Sequence, residues 1–128
     1  SKLVSSADKN QQALLRGLSQ LTEEVVLLDG HFCLLDKREQ VIELKFDVFD
    51  AISPSAILFV TCEEATIHQR LKKRGGHVLD LEKIIELQKH EAERSNSYSA
   101  SSGSKLFEYC SPESTNELLA ELSAWIKL

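Results

Sequence analysis

Val25-Val26-Leu27-Leu28-Asp29-Gly30-His31 is the stretch on which the fold turns. Four apolar residues in a row, with no polar residue between them, predict a strand buried on both faces, as in a parallel sheet covered by helices. Asp29-Gly30 ends it. Upstream, Ala13, Leu14, Leu18 and Leu21 recur at helical spacing. With Ser5, Ser6 and Asp8 as N-cap candidates, they predict a helix over about residues 7–21. Downstream, two short apolar runs at 32–35 and 41–44 flank the polar Asp36-Lys37-Arg38-Glu39, which predicts a hairpin.

The pattern then alternates. A brief helix over 48–52 stops at Ser53-Pro54, because the residue before a proline is pushed out of the helical region. Ala56-Ile57-Leu58-Phe59-Val60 is a second buried strand, ending at Thr61-Cys62. Glu63 and Glu64 fall in the first turn of the next helix, where carboxylates complement the dipole. That helix carries Ile67 and Leu71 inward and ends basic, with Arg70, Lys72, Lys73 and Arg74 before Gly75-Gly76. A long helix covers 81–99, and the serine-rich 95–104 reads as its tail rather than a linker. A third strand covers 106–109. Ser111-Pro112-Glu113 opens the last helix, with Pro112 near its N-terminus and Leu118, Leu119, Leu122, Trp125 and Ile126 as its buried face. This order is the α/β signature, with a mostly parallel sheet.

The length of 128 residues suits one domain spanning 1–128. The net charge of −5 argues against nucleic acid as a partner, since that affinity rests on Lys and Arg neutralising phosphates. No apolar run approaches the roughly 18 residues of a membrane span, and no secretory signal is visible. A soluble, cytoplasmic protein is the expectation. Cys33, Cys62 and Cys110 show neither CxxC nor zinc spacing. Cys33 and Cys62 lie in or after apolar runs and read as small buried residues.

Ligands of open parallel sheets bind beyond the carboxyl ends of the strands. Asp29, Gly30 and His31 fall at that edge, where a carboxylate can hold the water shell of Mg²⁺, although Asp-Gly is also a common turn. Arg70 and Arg74 lie four apart on one helix side, and arginine forks match phosphate oxygens. Cations at a helix C-terminus also serve the dipole alone. Gly75-Gly76 reads as the base of a mobile lid over about 70–80. In Gln88-Lys89-His90-Glu91-Ala92-Glu93-Arg94, the charges at three- and four-residue spacing read equally as surface pairs. Neither a G-x-x-x-x-G-K-[ST] loop nor a G-x-G-x-x-G turn occurs in the sequence.

In order and spacing, Val25–His31, Asp47-Val48-Phe49 with Ile52-Ser53-Pro54, Ile57–Val60, Arg70-x-x-x-Arg74 and Gln88…Glu91-x-x-Arg94 resemble P-loop nucleotide kinases. The resemblance is to adenylate-kinase-like proteins of the archaeal type. It implies a three-layer P-loop NTPase-like domain that uses ATP and Mg²⁺ with a small phosphate acceptor. By resemblance Asp29 orients Mg²⁺ through water, with His31 beside it in the nucleotide site. Arg70, Arg74 and Arg94 would contact the transferring phosphoryl group. Asn10, Gln11 and Arg16 fall in the acceptor region, and Pro112 falls where the adenine packs. The family's N-terminal strand–P-loop–helix unit has no counterpart here. The expectation is therefore the C-terminal portion of such a kinase, inactive alone.

The alternative is a non-catalytic interaction or regulatory module on a degenerate kinase fold; an ATPase acting near RNA is the weakest reading. Trp125 and its neighbours serve equally as core or as the contact of a homo-oligomer.

Overall fold

The computed structural model describes residues 2–126, with side chains from residue 9 onward. The chain opens with helix α1 (Lys2–Ser19). It starts earlier than the periodicity predicts, and the proposed caps Ser5, Ser6 and Asp8 have side chains outside the described residues. Leu14, Leu15 and Leu18 turn inward, and Gln11 Nε2 donates to the Val48 carbonyl at 2.8 Å.

The hairpin forms where expected. Strands β1 (Cys33–Leu35) and β2 (Val41–Glu43) pair antiparallel, with Cys33 opposite Glu43. Asp36 makes the turn, because its Oδ1 accepts the amides of Arg38 at 2.8 Å and Gln40 at 2.9 Å. Helix α2 (Phe46–Ile52) ends with Ser53 in the left-handed region (φ 57°), directly before Pro54.

Strand β3 (Ala56–Cys62) pairs parallel with β4 (Lys105–Ser111), joined through helices α3 (Glu64–Arg74) and α4 (Leu81–Ser102). In this register Leu58 and Val60 share a face with Phe107 and Tyr109. Helix α5 (Asn116–Ile126) covers the β4 half of that face, with Trp125 edge-on to Phe107 at 5.8 Å. Phe59, Thr61 and Cys110 face the other way and line a common cavity with Ile85, Gln88 and Ala92 of α4. Helices thus lie on both sides of the parallel pair, a local α/β/α layering.

A second packing centre is aromatic. Tyr98 of α4 is 2% exposed and donates its hydroxyl to Asp50 Oδ1 at 2.9 Å. Phe32, Phe46 and Phe49 surround its ring, with centroids 5.0–5.9 Å away. Ser95, wholly buried on the same helix, satisfies its hydroxyl on the Ala92 carbonyl at 2.9 Å. The serine-rich tail is helical, as expected, and stops at Gly103 (φ 80°).

Three expectations are corrected. Residues 25–28 form no strand and are exposed, Leu27 to 94%. A strand exists only through a hydrogen-bonded neighbour, and among the described residues β1 pairs with β2 and β3 with β4, leaving this run none. The broad, mostly parallel sheet is accordingly two separate two-stranded sheets. The last helix begins at Asn116, not at Ser111–Glu113. Ser111 still belongs to β4, the Ser111–Pro112 peptide is cis, and the Ser114 hydroxyl receives the Asn116 amide at 3.3 Å. Leu118, Leu122 and Ile126 form the inward row of α5, while Leu119 and Trp125 stay largely exposed. No helix among the described residues is long and apolar enough to cross a membrane.

Candidate functional site

Helix α4 carries three polar side chains, three residues apart, that bind the backbone of other elements. Gln88 reads the end of β3. Its Oε1 accepts the Cys62 amide at 3.2 Å, and its Nε2 donates to the Cys62 carbonyl at 2.9 Å and to Glu64 Oε1 at 3.1 Å. A carboxamide thus supplies the donor and acceptor that a neighbouring strand would offer. One turn on, both Glu91 oxygens accept backbone amides at 3.0 Å, from Phe32 and Cys33 at the start of β1. Arg94 Nη2 donates to the Leu44 carbonyl at 2.6 Å, just after β2, with its guanidinium 4.0 Å above the Phe46 ring. Apart from the Gln88–Glu64 bond, each satisfies a main-chain group at or beside a strand end.

This ladder sets the spacing of two edges. His31 Nδ1 lies 3.9 Å from Glu91 Oε1, which places the segment after Asp29 over the Glu91 turn of α4. Arg70 reaches Cys62 Sγ at 3.7 Å, which places it over the carboxyl end of β3, held by Gln88. Side chains three apart on a helix are neighbours, so Glu91, which His31 approaches, and Gln88, which holds the Cys62 that Arg70 approaches, are adjacent on α4. Beside the end of β3 a cavity of about 430 Å³ opens between the strands and α4, lined by Cys62, Glu63, Glu64, Ile85, Gln88 and Lys89 among others; His31 and Arg70 are not part of its lining. It lies at the edge where α/β sheets take ligands.

The sequence-predicted residues are distributed unevenly around this edge. Arg70 stands at the end of β3, and His31 stands at Glu91. Asp29 and Arg74 are exposed and make no hydrogen bond or ion pair among the described residues. Arg94 is occupied by Leu44 and Phe46, with its Nε 3.5 Å from Glu43 Oε2. Pro112 lies in the exposed turn after β4. Gln11 is engaged with Val48. Cys62, expected to be buried, is half-exposed beneath Arg70, whereas Cys33 is buried as expected. Burial, reinforced by the charges of Glu91 and Glu43, pushes the Cys33 thiol up to about 11. Among the described residues no group of three or more His, Cys, Asp or Glu is placed to hold a metal ion.

The residue that sequence reasoning misses is Glu91, read as half of a surface pair. A signal was present. Ile84, Gln88, Glu91, Ser95 and Tyr98 follow a 4-3-4-3 spacing, and Ile84, Ser95 and Tyr98 are buried. A glutamine and a glutamate in an inward-facing row must find partners. Here those partners are backbone groups.

With this geometry in view, the comparison with known families is specific. The sequence profile of the AAA domain family matches residues 4–88, well over half of the chain, and the chain belongs to that family. It is thereby a P-loop NTPase-like α/β protein, of a class that includes kinase-like, ATP-binding members. The matched span takes in Asp29, His31, Arg70, Arg74 and Gln88, and ends before Glu91, Arg94 and Pro112. No curated protein and no solved structure gave a significant match.

Proposed function

We propose that the protein is part of an ATP-dependent nucleotide or small-molecule kinase of the adenylate-kinase-like kind, with residues 1–128 as one domain. One observation supports this reading: Arg70 reaches the Cys62 thiol at the carboxyl end of β3, and His31 lies 3.9 Å from Glu91, one turn of α4 beyond the Gln88 that holds Cys62. In the proposal Arg70 and Arg74 take the phosphate oxygens. Arginine is suited to this because its planar fork keeps its charge and donates two parallel hydrogen bonds. Catalysis of this class rests on positioning and electrostatics, so spreading phosphoryl charge is the task required of them.

Asp29 supplies a carboxylate to the water shell of Mg²⁺. The carboxylate of Asp29 is exposed and would act alone, since among the described residues no cluster of metal-ligating side chains stands beside it; Mg²⁺ keeps most of its waters and can be held through them. When bound, Mg²⁺ would neutralise triphosphate charge. Arg94, committed to Leu44 and Phe46, enters the proposal as a positioning residue that ties the hairpin to α4. Residues 1–128 contain no glycine-rich loop for the triphosphate, so the reading assigns that cradle to another polypeptide segment, in cis or in trans.

Calorimetric titration with ATP, with and without Mg²⁺, tests the reading. Binding is expected to require Mg²⁺. Arg70→Ala or Arg74→Ala should weaken it by about tenfold or more, the worth of a hydrogen bond to a charged group, at unchanged melting temperature. Equal affinity in both variants would remove the arginines from the site.

A second reading, a non-catalytic interaction module, is favoured by the exposed apolar residues at 25–28 and by Leu58 and Val60 on β3. Light scattering that shows self-association, together with no ATP binding, would select it.

A further inference from the structure

We infer that Glu39 and His77 form a latch that docks the α3–α4 link on the hairpin tip and restrains the basic end of α3. The link, residues 75–80, begins with Gly75 and Gly76, both at positive φ (80° and 82°), where any side chain would be strained. A pair of such residues directly after α3 is a hinge. Beyond it, His77 Nε2 is hydrogen-bonded to Glu39 Oε1. Among the described residues this is the only side-chain hydrogen bond or ion pair between the link and the hairpin.

The two sides of the contact differ in stiffness. Glu39 sits at φ 59°, and its turn is fixed by four bonds. The Glu39 amide donates to the Asp36 carbonyl at 3.0 Å, and the Asp36 amide to the Gln40 carbonyl at 3.0 Å. Asp36 Oδ1 takes the Arg38 and Gln40 amides. Asp36 is thereby occupied, and Glu39 is the carboxylate of the turn that is free to hold His77. Lys37 and Arg38 flank it on the turn, and Lys72, Lys73 and Arg74 precede the hinge. On the link side, among the described residues no backbone hydrogen bond outside helices or strands involves Gly76 to Leu79. An open cleft of about 590 Å³, lined by Leu35, residues 36–39, His77 and Leu79, separates the two surfaces around the contact. A rigid post, a single polar contact and a glycine hinge beside open space describe a segment with a docked and a released position. Arg74, the last residue of α3, adjoins the hinge, so release would change how it is presented.

This inference goes beyond the nucleotide reading and is tested without nucleotide. Hydrogen exchange of the whole chain is measured for the parent, Glu39→Asn, His77→Ala and the double variant. Asparagine tolerates the left-handed conformation but is too short to reach His77, so the turn should survive; unchanged exchange at 36–40 verifies that. Gly75 and the last turn of α3, whose amides are hydrogen-bonded, are expected to exchange about two- to fivefold faster in each single variant, the range an exposed ion pair is worth. The double variant should be no faster than the singles, since both remove one interaction. Unchanged exchange in the single variants, or effects that multiply in the double, would overturn the latch.

Discussion

Two apolar segments of this chain have opposite fates. Ala56–Cys62 becomes β3, with β4 on one edge, α4 against one face and the Gln88 carboxamide on its final residue. Residues 25–28 are as apolar and are followed by a suggestive Asp-Gly, yet among the described residues no strand pairs with them and Leu27 is almost fully exposed. Burying such a side chain is worth about 1.5–3 kcal/mol. The difference therefore lies in the neighbours and not in the intrinsic tendency of the residues. Apolar composition states what a segment can do, and the groups that receive its backbone decide whether it does so.

The largest test of this comparison removes the receiving groups. Glu91→Ala deprives the Phe32 and Cys33 amides of both acceptors and should cost about 2–4 kcal/mol of stability in urea unfolding, the range for losing hydrogen bonds to a charged group. Asp29→Ala, on the unpartnered segment, should stay within about 0.5 kcal/mol. Equal effects would break the contrast.

A smaller effect is expected with pH. Burial and the Glu91 and Glu43 charges raise Cys33 from 9.0 to about 11, and burial with Asp50 raises Tyr98. Both groups hold their protons longer when folded, so the unfolded chain loses protons first as pH rises. The stability they contribute is complete below about pH 9 and declines as pH climbs toward 11. Melting temperatures across that window should show the decline, less steeply in Cys33→Ala. A flat profile would contradict the packing around β1.

The smallest stability effect belongs to Leu27→Ser, within about 0.5 kcal/mol. The same change should visibly lower binding of a hydrophobic dye, because the side chain lies in water rather than in a core.

Much of this architecture was legible beforehand. The hairpin, the stop at Ser53-Pro54, the existence of strands β3 and β4 with helices between them and the helical serine tail follow from periodicity and from proline and turn chemistry. The fate of residues 25–28 was not legible, because pairing is a long-range property. Neither was the start of α5, where β4 and the turn after it take Ser111 to Thr115. At the candidate site, the position of Arg70 beside the end of β3 follows from the helix that succeeds that strand. Glu91 was obscured because its partners are main-chain amides nearly sixty residues away, and no sequence pairing rule names a backbone group. Arg94 shows the converse: a conspicuous arginine whose guanidinium is spent on a carbonyl and an aromatic ring.

The proposed kinase reading depends most on His31 and Arg70 contributing to one phosphate site. Amide chemical-shift mapping of isotopically labelled protein titrated with Mg²⁺ and ATP reads this directly. The account predicts shifts concentrated at Gly30, His31, Cys62, Glu63 and Arg70, with the hairpin turn at 36–40 unmoved. Shifts centred on that turn or on α5, or none at saturating nucleotide, would contradict it.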